Sequence, residues 1–272
     1  MHRNRLPRPA RLPALGRRVC DTSWVLGRDH ALSGALAFAA LAPEMHVSGG
    51  YLATGIALSA GAGVLPDIDH PDSSIALTFG FLSNSFSWLV EKVSGGHRHL
   101  THAIPGILLF TAGAVTAGRF QLSGPHPPYA SPGSPAWHPA LFWHLVPAGI
   151  FLTLLYAAAL RALKIGGHHG DLIATIGAAA TIYYGADLEV IALGPWHVPL
   201  IGLATGIGCI AHIAGDELTH GGCPLLYPVS GHEFHLLPRP LQITTAKITE
   251  GYVIFPVLTG ALALAIWHAV HP

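Results

Sequence analysis

The chain has 272 residues, of which 51% are hydrophobic and only 10% are charged, and its mean hydropathy is +0.47. A soluble domain carries about 25% charged residues, so this composition argues against a water-soluble protein and against disorder along the whole chain. Lysine and arginine (14) balance aspartate and glutamate (14), so the net charge gives no indication of a nucleic-acid partner.

The histidine and cysteine content favours a metal site without thiolate ligands. The chain has 19 histidines, and imidazole is a common metal ligand. Cys20, Cys209 and Cys223 form no CxxC pair, which argues against a disulfide scaffold and against a thiolate zinc ribbon.

Residues 1–28 form a basic, proline-containing arm that we expect to be disordered. Six arginines precede the first acidic residue, Asp21. No apolar stretch of the kind found in secretory signals follows them before Asp29. Residues 29–272 are predicted to form a single integral-membrane domain.

Seven apolar segments follow the arm and predict an all-α, multi-pass bundle with about five to seven membrane segments. A bilayer crossing takes about 20 residues, so the first two segments, which are short, either cross the membrane or only dip into it. The segments are residues 31–43, 50–65, 103–118, 140–163, 172–193, 197–214 and 251–270. Residues 120–139 are predicted to be an external loop and residues 216–250 a cytoplasmic loop, because both are rich in proline and glycine.

The distribution of lysine and arginine predicts the orientation of the bundle. If the arm is cytoplasmic and the segments alternate, 13 of the 14 basic residues lie on the cytoplasmic side and only Arg119 lies outside. We therefore expect a cytoplasmic N-terminus.

Four motifs of acidic residues and histidines lie at the ends of apolar segments. They are Asp29-His30, Leu65-Pro66-Asp67-Ile68-Asp69-His70-Pro71, Gly96-His97-Arg98-His99-Leu100-Thr101-His102 and His212-x-x-x-Asp216. In the predicted topology all four lie at the cytoplasmic ends of the helices, although they are far apart along the chain.

The spacing within these motifs suits metal ligation. His212 and Asp216 are four residues apart and so share one face of a helix. Asp67 and Asp69 lie between two prolines, which disfavour helix and allow both carboxylates to point the same way. Nitrogen and oxygen ligands without thiolates fit Zn²⁺, Mn²⁺ or Fe²⁺, and the many imidazoles favour zinc. The number of candidates is compatible with more than one ion.

Simpler interpretations stand beside ligation. Asp67 and Asp69 also fit loop caps. His212 with Asp216 also fits a neutral hydrogen-bonded pair inside a bundle, although ionisable residues beside membrane spans are usually functional. Thr101 fits a backbone cap.

The third motif fits lipid contact as well as ligation. His97, His99 and His102 are compatible with histidines beside lipid headgroups, and Arg98 with a positive-inside anchor.

The combined pattern resembles the LexA-regulated, membrane-bound metal-dependent hydrolase family of bacteria, from about residue 30 to residue 250. The resemblance is carried by Leu65-Pro66-Asp67-Ile68-Asp69-His70-Pro71, by Gly96-His97-Arg98 with Thr101-His102, and by His212-x-x-x-Asp216-x-x-Thr219 followed by Pro224-Leu225-Leu226-Tyr227-Pro228. That family is distantly similar to zinc-dependent phospholipase C and P1 nuclease, which are all-helical enzymes with a multi-zinc site. The resemblance implies the bacterial inner membrane and a metal set of His30, Asp67, Asp69, His97, His102, His212 and Asp216.

Two residues depart from the family pattern. His99 stands where the family usually has glycine, and His220 stands where it usually has proline after Thr219. These two residues, and His168 with His169 in another polar stretch, are either extra ligands or ordinary loop residues, and the sequence leaves both interpretations open.

The resemblance and the predicted location together favour hydrolysis of a phosphoester at the cytoplasmic face of the membrane. A divalent metal, Zn²⁺ above all, would activate water. Asp69 or Asp67 would bridge ions or accept a proton, and Arg98 would stabilise charge on the phosphate oxygens. A membrane lipid or a lipid-linked phosphate is the expected substrate, no nucleic-acid partner is expected, and the oligomeric state is left open.

Two alternatives come from other classes of protein. A metal or proton transporter is kept open by Asp187 and Glu189 near the end of the fifth segment. Transporters, however, place such groups near mid-membrane, whereas the motifs here lie at segment ends. The other alternative is a membrane scaffold with a structural metal, whose closed coordination has no sequence signature.

Overall fold

The computed structural model describes residues 23–122, 139–184, 190–193, 196–244 and 250–271, and these residues are largely helical. The α-helices, in chain order, are α1 (Ser23–Leu41), α2 (Gly49–Ala62), α3 (Phe81–Ser94), α4 (Ile104–Leu122), α5 (Pro139–Ala162), α6 (Gly170–Tyr184), α7 (Leu200–Glu217) and α8 (Phe255–Val270). Short 3-10 turns lie at Pro66–Asp69, Leu100–His102, Gly167–His169 and Arg239–Leu241, and a π-helical turn, Glu250–Ile254, precedes α8.

The outer surface of the bundle is apolar, as expected of a membrane protein. Within the described ranges, three stretches are long and apolar enough to cross a bilayer: Gly49–Asp69, Leu145–Ala162 and Tyr252–Val270. Large side chains on the outside, such as Leu264 in α8 with 69% of its surface exposed, are unfavourable in water and favourable in lipid. The predicted all-α membrane architecture is confirmed.

The first helix begins earlier than the sequence pattern indicated. Helix α1 starts at Ser23 rather than after residue 28, because the stretch before Asp29 contains no proline and can continue the helix upstream. The arm therefore ends sooner than predicted, and residues 1–22 lie outside the described part of the chain. Of the predicted external loop, residues 123–138 also lie outside it.

The fifth predicted segment is not one continuous helix. Helix α6 ends at Tyr184, and the end of the segment forms strand β1 (Val190–Leu193), which pairs antiparallel with strand β2 (Trp196–Pro199). Valine, isoleucine and tryptophan in these strands favour extended backbone. Asp187 and Glu189, which kept the transporter alternative open, lie outside the described residues.

Helix α3 (Phe81–Ser94) was not among the predicted segments. Its serines, together with Asn84, Glu91 and Lys92, lower its hydropathy below that of a membrane crossing. Its apolar residues nevertheless recur every three or four positions, which is the pattern of an amphipathic helix. A search for periodicity instead of mean hydropathy would have found it.

Helices α2 and α7 form the centre of the bundle. Helix α2 packs on α1, α5 and α7, and α7 also packs on α1 and α4. Glycine lets the two central backbones approach closely, since a Cβ added at Gly208 in α7 would lie only 2.5 Å from the carbonyl oxygen of Ser59 in α2. This contact brings the next turn of α7, which carries His212, to the end of α2.

The chain after α7 folds back over the end of that helix. The backbone N–H of Ile243 donates to the carbonyl oxygen of Leu218 (2.9 Å), and Cys223 and Phe234 exchange two backbone hydrogen bonds of 3.3 and 2.9 Å. The predicted loop 216–250 is thus held against the end of the bundle over its described part, and residues 245–249 are not described.

Candidate metal centre

The four motifs lie toward one end of the bundle, where the N-terminal half of α1, the turn after α2, the turn before α4 and the C-terminal part of α7 meet. Two groups of acidic residues and histidines have ligand atoms within 4.8 Å of one another. The groups are Asp67, Asp69, His97 and His102, and His30, His212 and Asp216. The structure therefore brings all seven predicted ligands together in one region.

His212 and Asp216 project from the same face of α7, as their spacing predicted. Both side chains are buried, and His212 Nε2 lies 3.5 Å from Asp216 Oδ2. His212 Nδ1 lies 2.7 Å from the carbonyl oxygen of Gly63, which can only accept a hydrogen bond. The proton of a neutral His212 is therefore on Nδ1, and its Nε2 carries a lone pair.

His102 has a similar arrangement on the turn before α4. The Thr101 hydroxyl donates to Asp69, so its oxygen accepts from His102 Nδ1, which is 3.0 Å away. The Nε2 atom of His102 then faces His212 Nε2 at 3.1 Å. Metal-binding histidines usually donate their second ring N–H to a carbonyl or polar side chain in this way.

Four acceptor atoms converge with spacings close to those of a tetrahedral metal site. From His102 Nε2, Asp67 Oδ1 lies at 3.5 Å and Asp216 Oδ2 at 3.6 Å; from His212 Nε2 the same atoms lie at 3.7 and 3.5 Å. Ligands at 2.0–2.1 Å from a tetrahedral zinc ion are about 3.3 Å apart. These histidine–carboxylate spacings are therefore compatible with one such ion after small adjustments.

A positive charge is needed among these atoms. Burial by itself would lower the pKa of His102, but its hydrogen bonds to Asp67 and Asp69 outweigh burial and raise that pKa to about 9. The carboxylates that raise this pKa also favour a divalent cation at the same position, where the histidines would bind it as neutral imidazoles.

Asp69 has different neighbours from Asp67. Its buried carboxylate accepts hydrogen bonds from His97 Nδ1 (2.8 Å), from the backbone N–H of Arg98 (3.1 Å) and from the Thr101 hydroxyl. These contacts fix the loop that carries His97 and His102. Asp67, by contrast, is 19% exposed and directs Oδ1 toward the two histidine Nε2 atoms.

His30 and Arg98 contact the opposite side of Asp216. The ring of His30 stacks on His212 with centroids 3.9 Å apart, and its Nε2 is 3.5 Å from Asp216 Oδ1. Arg98 Nη2 donates to the same oxygen at 2.8 Å. Arg98 has a left-handed φ of 60°, and Gly96, two residues earlier, also has a positive φ; this backbone turns the guanidinium back toward the cluster.

A small polar cavity opens beside the cluster. It has a volume of about 80 Å³. Its lining residues are His30, Asp67, His70, Ser73, Ser74, His97 and Arg98. Three predicted ligands and the predicted phosphate-binding arginine thus border one space.

The histidines that the sequence left open as extra ligands lie outside the two groups of candidate ligands. His99 contacts the His97 carbonyl oxygen and the Tyr227 ring, and His220 contacts Gln242. His168 and His169 are exposed in their 3-10 turn. None of these four belongs to either group of candidate ligands among the described residues.

Three contributors to the site were missed by sequence reasoning. The carbonyl of Gly63 has no sequence signal, and Thr101, expected to be a backbone cap, donates to Asp69 instead. The Cys223 thiol lies 3.8 Å from Asp216 Oδ2. Burial, together with the charge of Asp216, raises the pKa of Cys223.

The fold and the site define a class: a helical membrane protein with a buried histidine–aspartate cluster at one end of its bundle. The family model described as YdjM inner membrane protein matches residues 25–270. The chain therefore belongs to the YdjM inner membrane protein family, which confirms the expected location in an inner membrane. Searches of the curated proteins and of the solved structures returned no match.

Proposed function

We propose that this protein is a membrane-bound, metal-dependent hydrolase that acts on a phosphoester. The observation that carries the proposal is the convergence of His102 Nε2, His212 Nε2, Asp67 Oδ1 and Asp216 Oδ2: the two nitrogens lie 3.1 Å apart, and each lies 3.5–3.7 Å from the two oxygens. Two neutral imidazoles and two carboxylates without a thiolate favour Zn²⁺, and they are compatible with Mn²⁺ or Fe²⁺. A divalent cation bound by them supplies Lewis acidity that makes water a nucleophile near neutral pH.

The residues around the cavity have separate tasks in this proposal. Arg98 holds Asp216 with one nitrogen and lines the cavity, where it would pair with phosphate oxygens. Asp67 is the ligand carboxylate that borders the cavity and is the better placed to accept a proton. Asp69 would act as a positioning residue, because its oxygens already accept from three donors of the 97–102 loop.

The proposed ligands of a second ion are His30 and His97, which both line the cavity. His30 Nε2 lies 3.5 Å from Asp216 Oδ1, which also accepts a hydrogen bond from Arg98. His97 donates from Nδ1 to Asp69, which leaves Nε2 of His97 for a ligand. A multi-ion site of this kind would match the one implied by the family resemblance.

A membrane lipid or a lipid-linked phosphate is the proposed substrate class. The cluster lies at the end of the helices, which supports a location at the level of the lipid headgroups. The positive-inside distribution of lysine and arginine favours the cytoplasmic side for this end. Its position at the end of the bundle, away from mid-membrane, argues against a transporter.

A structural metal is the second candidate function. Four protein ligands complete a tetrahedron, and structural zinc sites are closed in this way. The exposure of Asp67 toward the 80 Å³ cavity favours the hydrolase, because a ligand at the cavity edge can move aside for substrate.

The test compares detergent-purified wild-type protein with His212→Ala, and with His168→Ala as a matched control outside the cluster. Metal content is measured by mass spectrometry, and hydrolysis of a phosphodiester and of phospholipids is measured on the same samples. We expect His212→Ala to lose both metal and hydrolysis and His168→Ala to keep both. Metal bound by wild type without turnover on any phosphoester would favour the structural role, and wild type without metal would refute both.

A further inference from the structure

Helix α3 has its polar side inside and its apolar side outside. Six large apolar side chains of this helix are 53–84% exposed: Phe81, Leu82, Phe86, Trp88, Leu89 and Val93. Its buried positions are the small polar residues Ser83, Ser87 and Ser94. A helix that faces water has the opposite arrangement, so the exposed face requires an apolar environment.

Both ends of α3 are attached to the end of the bundle that carries the metal centre. At its start, Asn84 Nδ2 donates to the carbonyl oxygen of Pro71 (2.7 Å), just after the Asp67–His70 motif. After its end, His97 donates to Asp69 (2.8 Å). Fourteen residues of helix are about 21 Å long, which is shorter than the 30 Å hydrocarbon core of a bilayer. With both ends on one side, α3 cannot cross the membrane.

We propose that α3 is an in-plane membrane helix whose apolar face enters the leaflet next to the metal centre. The face is defined by Leu82, Phe86, Leu89 and Val93, which recur at spacings of four, three and four residues and so line one side of the helix. This face contacts the hydrocarbon of the bilayer, which is present because the chain belongs to a family of inner membrane proteins.

The border of this face has the residues typical of a membrane–water interface. The Lys92 ammonium lies 3.6 Å from the centroid of the Trp88 ring. Tryptophan is enriched at the headgroup level, and lysine extends its charge from apolar surroundings to the headgroups. An interfacial amphipathic helix combines such residues with an apolar face buried in the acyl-chain boundary. A helix face that packs against a second copy of the protein is not expected to be bordered by such interfacial residues.

An in-plane α3 would fix the depth of the cavity. The helix packs on the 3-10 turn that carries Asp67 and Asp69, and the cavity beside that turn is lined by His70, Ser73 and Ser74. The mouth of the metal centre would then lie at the level of the lipid headgroups. This consequence, which rests on the proposed function, favours a membrane-borne substrate over a soluble one.

The test measures the surroundings of single spin labels in proteoliposomes by electron paramagnetic resonance. Labels are attached at Leu82→Cys and Phe86→Cys, in protein whose Cys20 is replaced by serine; the described native cysteines are buried. Leu264→Cys on α8 is the lipid reference, and His232→Cys, in an exposed loop, is the water reference. Each variant must keep the melting temperature of the parent protein.

Accessibility to oxygen and to a water-soluble nickel chelate separates the outcomes. We expect the α3 labels to give an oxygen-to-nickel ratio several-fold above that of His232→Cys and on the side of Leu264→Cys. A ratio like that of His232→Cys would put α3 in water and overturn the proposal. Low accessibility to both reagents would mean that protein covers the face, either a second copy or the N-terminal arm, and would also overturn it. None of these results depends on hydrolysis.

Discussion

Replacing Asp69 with asparagine tests whether this residue is a ligand or a support for the ligand loop. The side chain is fully buried and accepts hydrogen bonds from His97, the Arg98 backbone and Thr101. Asparagine has the same shape but no charge, and its amide nitrogen would face one of these donors. We therefore expect Asp69→Asn to weaken the fold and to loosen the loop without removing a direct metal ligand.

The size of the effect follows from the burial of the pair. Breaking a buried, hydrogen-bonded charge pair costs about 3–5 kcal/mol. At roughly 2–4 °C per kcal/mol for a chain of this size, the melting temperature should fall by about 10 °C. Removing the residue that accepts a hydrogen bond from the second ring nitrogen of a metal-binding histidine weakens metal binding about 10–100-fold. The number of ions bound at saturation should not change.

The assay is thermal unfolding of chelator-treated protein in detergent, followed by zinc titration. Asp72→Asn is the matched control, because Asp72 is exposed in the same loop, and surface changes of this kind stay within about 0.5 kcal/mol. Loss of a whole ion from Asp69→Asn, as expected for His212→Ala, would show that Asp69 is itself a ligand and not a support for the loop. An unchanged melting temperature would refute the energetic argument.

Two further predictions concern glycines at close contacts. A Cβ at Gly61 would overlap the carbonyl oxygen of Leu155, so Gly61→Ala should destabilise the bundle by about 1–3 kcal/mol. The control is Gly113→Ala, whose Cβ would meet no neighbouring atom and which should stabilise α4 by about 0.5–1 kcal/mol. Melting temperatures of the two variants that shift in the same direction would contradict this prediction. A Cβ at Gly221 would overlap the Arg98 guanidinium, so Gly221→Ala should reduce phosphoester turnover at least several-fold. The metal content, measured by mass spectrometry, should stay constant. Equal loss of metal and turnover would contradict a specific effect on Arg98 and indicate disruption of the whole cluster.

The helices of the bundle were largely predictable, and the reason is physical. A segment inside a bilayer must satisfy its own backbone hydrogen bonds, so a long apolar stretch reads as a helix with little ambiguity. The same rule fails where the chain leaves the apolar core. Helix α3 was missed because its mean hydropathy is ordinary, and β1 was read as helix because its apolar residues continue the pattern of α6.

The candidate site was predictable as a set of residues but not as an arrangement of atoms. His212 and Asp216 lie on one helix, so their shared face follows from helical geometry alone. Asp67 and Asp69 could not be distinguished in the sequence, since both lie in the same short motif. Their roles differ only in their contacts with residues 97–102. His97 and the Arg98 backbone donate hydrogen bonds to Asp69, whereas Nε2 of His102 faces Asp67 Oδ1.

Apolar segments and motif positions were enough to predict a helical membrane protein whose acidic and histidine motifs meet at one end of the bundle. Bilayer thickness limits how many apolar segments can cross, and the positive-inside rule gives an expectation for their orientation. The packing of the helices determines which atoms meet, which face of α3 points outward, and how Gly63 and Thr101 orient the imidazoles of His212 and His102. His102 and His212 are 110 residues apart in sequence, and a contact over that separation depends on how α2, α4 and α7 pack, which no local pattern encodes.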